Sequence, residues 1–463
     1  MLRRFRRFIN RRRNVDHDRS PLYCSSPDEN YHMIHMQLLQ FIEKSVGDHV
    51  YLVGEELIEA TGPDVFPHTF QIRITVNTDQ GLPLHFNLFV KILIADQCDL
   101  AQRERAYMRL DVLINLKKEI QMYSEVIPKI AKFQKLRMIN TDCRVSNLFE
   151  KCFGTRISIE PRLPKLPDYS SAILLSNPHE KYTFQACETE GSRNNGFTYD
   201  TTILILRDMA YFHAGTLAMR LKKKALFLRT IVPILNLEVK EYEQAPPVEM
   251  LFKELISYGL RDLQLSDDQR VAIRDSLQLS RLYNRFVREE TDQTWYALSY
   301  SRYSMSYIMT KQTWEDATNP SKLIDLHRVG FDHCCKDLAN FIFTSVRPES
   351  FNGQWSFSNL LHEYLYEFLR TLRWHRVPMG QYTWDNFRAE FHAVGAKMLA
   401  DIFMNIRTSF CRNYKGNEDP ILSNEYRKRI TAALNTMTIF QWIKVFDSNS
   451  ANGSPDSDLI VFD

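Results

Sequence analysis

The hydrophobic period of this chain changes from two to 3.6 part-way along, and that change constrains its fold more than any other feature. The run HTFQIRITV (68–76) alternates apolar and polar residues, NTDQGLP (77–83) has turn composition, and LHFNLFVKILI (84–94) resumes strand character. Two such runs joined by a polar turn predict a β-hairpin, whose second strand carries Lys91. From Ile203 the period is helical: Ile203, Leu206, Ala210, His213 and Leu217 share one face. A further strand pair is expected around 296–326, embedded among helices. Strands first and helices second predict an α+β fold of two lobes, a β-rich N-lobe and a mainly helical C-lobe.

A helix is predicted over 33–46, where Ile34, Leu38, Phe41 and Ile42 form a stripe. Another is predicted over about 99–126, carrying Glu119 and Tyr123 and stopped by Pro128. Residues 145–198 read as irregular, with prolines at 161, 164, 167 and 178 and the polar run EGSRNNG (190–196). Helix dominates from 203 to 282 apart from a turn at APP (245–247), and returns at about 335–346, 357–374 and 384–404. The expected division is a basic disordered arm (1–30), the N-lobe (31–187), the C-lobe with its embedded hairpin (188–446) and a polar disordered tail (447–463).

Charge and cysteine usage narrow the class. The 463 residues are 44% apolar and 25% charged, as in a soluble globular protein, and a net charge of +3 gives no nucleic-acid footprint. The first thirteen residues, MLRRFRRFINRRR, hold seven arginines and no acid. Three readings fit this arm: a solvated tail, a signal or contact for the nucleus or an anionic membrane surface, and a mitochondrial presequence. No run approaches the ~18 apolar residues of a transmembrane helix. Eight cysteines lie scattered without a CxxC, which suits reduced thiols in the cytoplasm. The adjacent His333, Cys334 and Cys335 are read as core residues rather than a zinc site, since sequence neighbours do not easily ligate one ion together.

Phosphoryl transfer from ATP needs a cation on the phosphates, a carboxylate to hold it, metal ligands (usually an Asp and an Asn) and an Asp base. Taken singly, Lys91 reads as an edge-strand or snorkelling lysine and Glu119 as a solvated helix residue. Taken in order, strand lysine then helix glutamate, they match the first two needs.

Four segments carry a resemblance. LKKEIQMYSEVIP (116–128), ILRDMAYFHAGTLAM (205–219), LIDLHRVGFDHCCKDLANFIFTSV (323–346) and LHEYLYEFLRTL (361–372) resemble, in order, segments of the insect ecdysteroid-kinase-like family. That family, also called CHK-kinase-like, is related to choline kinases and aminoglycoside phosphotransferases, and the likeness spans about residues 45–404. It implies a two-lobed protein-kinase-like fold. It also implies that Lys91 would grip ATP phosphates, Glu119 would pair with Lys91 and Asp325 would hold magnesium. Asp337 would be a buried carboxylate tying the catalytic loop, and His213 a hydrogen-bonded core histidine. His327 replaces the family's Gln.

The chain departs from this pattern where chemistry is concentrated. The family's catalytic loop reads HGD.w..N.m. Anchored on Ile308 and Met309, this chain has Tyr300 for His, Ser301 for Gly, Arg302 for the base Asp and Tyr307 for the metal Asn. Arginine stays protonated and accepts no proton, and a protonated phenol is a poor magnesium ligand. The phosphate loop TGPDVFPHTF (61–70) has one glycine, with Pro63 and Pro67 offering no N–H. Gln185 stands where the family's hinge favours Glu. The expectation is a monomeric, cytoplasmic pseudokinase that binds a nucleotide, a small lipophilic alcohol or steroid, or a partner, with ATP and magnesium held weakly. An active small-molecule kinase using a displaced base, and an interaction protein with an empty cleft, are the alternatives.

Overall fold

The computed structural model describes residues 39–60, 68–81, 83–92, 102–158, 167, 171–184, 196–237, 265–286, 293–300, 303–311, 320–410 and 424–443. The basic arm, the polar tail, the APP turn, most of the phosphate loop (61–67), Gln185, Ser301 and Arg302 lie outside them.

Strands β1 (Val50–Ala60), β2 (His68–Thr78), β3 (Pro83–Ile92), β4 (Cys152–Arg156) and β5 (Ala172–Ser176) form an antiparallel sheet in the order β1-β2-β3-β5-β4. Side chains alternate across its pleat. Leu88 and Val90 of β3 join Phe70, Ile74, Val76 and Leu174 in an apolar cluster on one face. Phe89 and Lys91 point to the opposite face, where Ile173 and Leu175 of β5 join the main core. The hairpin β2–β3 is the predicted one, with Thr69 paired to Lys91.

Three parts of this lobe differ from the sequence reading. β1 was not expected; register shifts at Leu52/Gly54 and Leu57/Glu59 break the alternation that would have revealed it. Residues 145–198 are not irregular throughout, since they hold β4, β5 and β6 (Tyr182–Phe184). The run AILLS is buried almost completely, so it lacks the polar alternation of a half-exposed strand. Finally, Pro128 does not end the helix. Helix α1 (Gln102–Gln121) passes through a π-helical segment (Met122–Val126) into α2 (Ile127–Leu136). The Ile127 N–H bonds the Met122 carbonyl, five residues back. The wider turn takes up the missing N–H and ring clash of the proline within a continuing helix.

The second lobe is built around α3 (Tyr199–Lys222), capped by Thr198 and buried at every residue from Asp208 to Met219. Helices α4 (Asp267–Phe286), α5 (Cys334–Ser345), α6 (Gln354–Trp374), α7 (Trp384–Phe410) and α8 (Asn424–Ile439) pack with it. The expected strand pair around 296–326 is split between two small sheets. β7 (Tyr296–Ser299) pairs with β10 (Gly330–His333), while β8 (Ile308–Lys311) lies between β9 (Ser321–Leu323) and β6. The result is the expected α+β fold of two lobes. No helix among the described residues is long and apolar enough to cross a membrane.

Candidate functional site

Three charged side chains from distant parts of the chain meet where the lobes face each other. Lys91 reaches from β3, Glu119 from the last turn of α1, and Asp325 from the residues after β9. Lys91 Nζ lies 2.9 and 3.2 Å from the two Glu119 carboxylate oxygens and 2.7 Å from Asp325 Oδ1. Lys91 and Glu119 are buried, whereas the Asp325 side chain is 33% exposed on the cleft side. The Leu326 N–H also donates to Glu119, so the glutamate is tied to the backbone beside Asp325.

Electrostatics follow from burial against charge. Burial lowers the Lys91 pKa, but Glu119 and Asp325 outweigh it and hold the ammonium above its ordinary value. Burial would raise Asp325, yet the Lys91 ammonium holds its carboxyl below the usual range. For Glu119 burial is the larger effect, and its carboxyl is raised despite Lys91. His327, two residues beyond Asp325, is pushed down to about 4 by burial, with Lys91, Arg328 and Lys118 adding to it against Asp325.

Asp325 adopts the left-handed conformation (φ 56°, ψ 55°) at the head of a 3₁₀ turn, Leu326–Arg328. A non-glycine residue there is held by its surroundings. Its carbonyl accepts from the Arg328 N–H (3.1 Å) and from the Tyr300 hydroxyl (2.9 Å). Burial pushes the Tyr300 phenol well above its ordinary pKa, so it stays a donor. Tyr300 thus secures the backbone of the aspartate.

One helix anchors the loop that follows. Asp337 Oδ2 accepts from the Tyr300 N–H (2.5 Å), Asn340 Nδ2 donates to the Tyr303 carbonyl (3.0 Å), and Ser345 Oγ accepts from the Met305 N–H (2.9 Å). All three lie on α5. His213 is fully buried, with Nε2 3.1 Å from Asp337 Oδ2 and Nδ1 2.8 Å from the Tyr364 hydroxyl, as a core histidine should be. Asn340 and Ser345 were missed from the sequence; helical spacing from Asp337 was the signal that could have found them. His333 accepts from the Cys335 N–H at the head of α5 and contacts Glu390 through Nε2.

The cluster opens on a cleft of about 250 Å³. Thr69, Gln71, Tyr123, Phe89, His179 and Phe184 line it together with Lys91. Ring centroids lie 6.2 Å apart for Phe89–His179 and 6.0 Å for His179–Phe184, an aromatic group suited to a planar ring. The charged cluster on the same wall offers a cation to an anion.

Magnesium takes near-octahedral oxygen ligands, and the donors here do not fit it. Asp325 supplies one carboxylate, already bonded to Lys91. Tyr307 packs its ring 5.6 Å from Tyr300 and under the Arg328 guanidinium at 5.4 Å. The next donor is the His327 imidazole, and donor atoms of Glu119, Asp325 and His327 all lie within 4.8 Å of one another.

The family model described as the ecdysteroid kinase-like family matches residues 68–376. The match begins with β2 and ends just past α6. It is shorter than the 45–404 suggested by the quoted segments, but it holds all four of them together with Lys91, Glu119, Arg302, Tyr307, Asp325 and Asp337. Comparison with curated proteins finds no match.

Proposed function

Because the chain belongs to the ecdysteroid kinase-like family, we propose that it is a kinase-like protein that binds a nucleotide between its lobes but has lost efficient phosphoryl transfer. A small lipophilic alcohol or steroid is the second ligand this reading assigns, from the family's description. The observation that carries the proposal is the preformed Lys91–Glu119 pair, 2.9 Å apart on the wall of the cleft. In this reading Lys91 takes the phosphates, Glu119 holds Lys91 in place, and Phe89, His179 and Phe184 receive the base. Loss of transfer rests on the residue types at two positions. Arg302 cannot act as a general base, and Tyr307 offers no amide oxygen to a metal. No step is assigned to magnesium, because the donor set does not fit it.

The test joins two measurements. Thermal unfolding is followed with ATP, with and without magnesium; a ligand that binds only the folded state at about 100 Kd adds ~2.7 kcal/mol of stability. The expected result is a rise in Tm of similar size in both conditions. Transfer of label from ATP to a panel of ecdysteroids is then expected to be undetectable. Robust magnesium-dependent transfer to any alcohol sinks the pseudokinase reading, and no shift with ATP in either condition sinks nucleotide binding.

A further inference from the structure

We propose that the surface where α2 and α6 end together docks on an anionic phospholipid membrane, its exposed apolar side chains entering the interface and its cations meeting the headgroups. The inference is independent of the nucleotide reading, since none of the residues that carry it lines the cleft.

Two segments far apart in the chain converge there. The last turn of α2 meets the residue that follows α6. The rings of Phe133 and His375 stack at 5.8 Å, Gln134 Nε2 lies 3.3 Å from His375 Nε2, and Arg137 donates to the His375 carbonyl (3.1 Å). Both segments are basic. Residues 126–141 hold four Lys or Arg and no acid, and residues 368–384 hold three and no acid, in a chain whose net charge is only +3. Glu125 and Glu367, just outside these runs, pair with Lys129 and Arg370. Among the described residues no carboxylate forms an ion pair with Lys132, Lys135, Arg137, Arg373 or Arg376.

Cations near helix C-termini also suit the helix dipole, so the charge by itself marks no ligand. The apolar side chains beside it do. Leu136 is 74% exposed and Met138 87%, and Trp374 is exposed as well. On α6, Tyr366, Arg370 and Trp374 follow one another at a spacing of four, with the Arg370 guanidinium 5.9 Å from the first ring and 4.8 Å from the second. Exposed Leu, Met and Trp bordered by Lys and Arg make the composition of an interfacial membrane contact. An acidic protein or a nucleic acid would use the charge and leave the apolar tips in water.

The backbone gives a separate sign. Both helices close with the same motif. In α2 the Ile139 N–H donates to the Gln134 carbonyl and the Met138 N–H to the Lys135 carbonyl; in α6 the Val377 N–H donates to Leu372 and the Arg376 N–H to Arg373. This motif puts one residue in the left-handed region, usually glycine. Here it is Met138 (φ 55°) and Arg376 (φ 54°). Both side chains are exposed, so packing within the protein does not explain why the less strained glycine is absent. One tip is apolar and the other cationic, the two kinds that an anionic membrane surface engages.

The experiment sediments the full chain with vesicles of phosphatidylcholine alone and of phosphatidylcholine mixed with phosphatidylserine, at low and at physiological salt. Binding is expected only where the serine lipid is present, and is expected to weaken as salt screens it. Each cation close to such a surface contributes about fivefold in affinity, so Lys132→Gln with Lys135→Gln should weaken binding roughly 25-fold. Met138→Gly separates this role from a structural one. It relieves the left-handed backbone, so Tm should hold or rise, yet vesicle binding should fall severalfold. The N-terminal arginines are a second source of charge, so they are replaced by alanine in a further variant, in which the lysine pair should still weaken what binding remains. Equal binding to both vesicles, binding unchanged in the lysine pair or in Met138→Gly, binding that vanishes with the N-terminal arginines alone, or capture by polyglutamate or nucleic acid in place of vesicles would each overturn the proposal.

Discussion

Replacing Lys91 by Met is the perturbation whose size the structure defines best. The change keeps the length and most of the volume of the side chain but removes an ammonium that contacts two carboxylates. Glu119 is then a buried charge, 3% exposed at its side chain, with Asp325 beside it and no counter-ion. Removing one partner of a buried pair costs about 3–5 kcal/mol. Glu119→Gln is different in kind. Lys91 keeps Asp325 at 2.7 Å, and the amide oxygen still accepts from Lys91, so the loss is nearer the ~1–3 kcal/mol of a charge-assisted hydrogen bond. The two variants should also differ in pH dependence. The folded-state pKa of Glu119 is already raised by burial, and loss of Lys91 removes the main influence opposing this. A carboxyl raised in the folded state binds more protons there than in the unfolded chain. Stability of Lys91→Met should therefore recover as pH falls through that raised value towards the ordinary ~4.3 of glutamate. Urea unfolding at several pH values reads both effects as midpoint shifts at constant slope. Equal losses for the two variants at neutral pH, or a Lys91→Met deficit that does not shrink on acidification, would refute the view that Lys91 neutralises this cluster.

Asp208 is buried, accepts from Ser321 Oγ at 2.6 Å, and is pushed up to about 6 chiefly by burial. Its charge thus destabilises the fold by about 2–3 kcal/mol above pH 6 and not at all below the ordinary value near 4; Asp208→Asn should raise Tm at pH 8 and leave it nearly unchanged at pH 4, and an equal shift at both would be the wrong result. Tyr300→Phe should cost only ~1 kcal/mol, because the Arg328 N–H still donates to the Asp325 carbonyl, but it should speed hydrogen exchange at Arg328. Arg302→Asp alone should leave label transfer from ATP undetectable, and Arg302→Asp with Tyr307→Asn should give at most a trace. A base contributes ~10²–10⁴-fold and acts as a unit with the metal clamp, so strong recovery by the single change would contradict the assignment of Tyr307.

What could be read from the sequence was whatever repeats with a single period. The β2–β3 hairpin alternates over its length, and α3 keeps a helical stripe from Ile203, so both were legible. The Lys91–Glu119 pair was legible because it joins the second strand of that hairpin to the predicted helix that became α1. β5 was not, since a strand buried on both faces has no alternation to show, and β1 was hidden by two register shifts. Pro128 misled because a proline is a stop only where the helix keeps its ordinary register; the π turn before it lies in no simple pattern. Within the site, the fixing of Asp325 by Tyr300 depends on residues 25 apart, and the three anchors from α5 on chain turns 37 to 40 residues away. Such contacts are set by packing of the lobes and leave no local mark.

The cluster itself is informative because it is a poor way to gain stability. Two charges buried together are commonly no better than well-packed apolar residues of the same volume, and replacing a whole buried ionic group often leaves stability equal or improved. Lys91, Glu119 and Asp325 could be exchanged together for apolar residues with little loss to the fold, although loss of Lys91 alone is severe. What the charged set does, and an apolar set would not, is hold an ammonium and a partly exposed carboxylate on the wall of a cleft that Phe89, His179 and Phe184 also line. Residues that only join the lobes need no such opening. An arrangement specific in charge and direction is what the proposed nucleotide reading calls for, and architecture alone does not require it. On that reading the Lys91 ammonium, held by both carboxylates, is the group a nucleotide phosphate would meet.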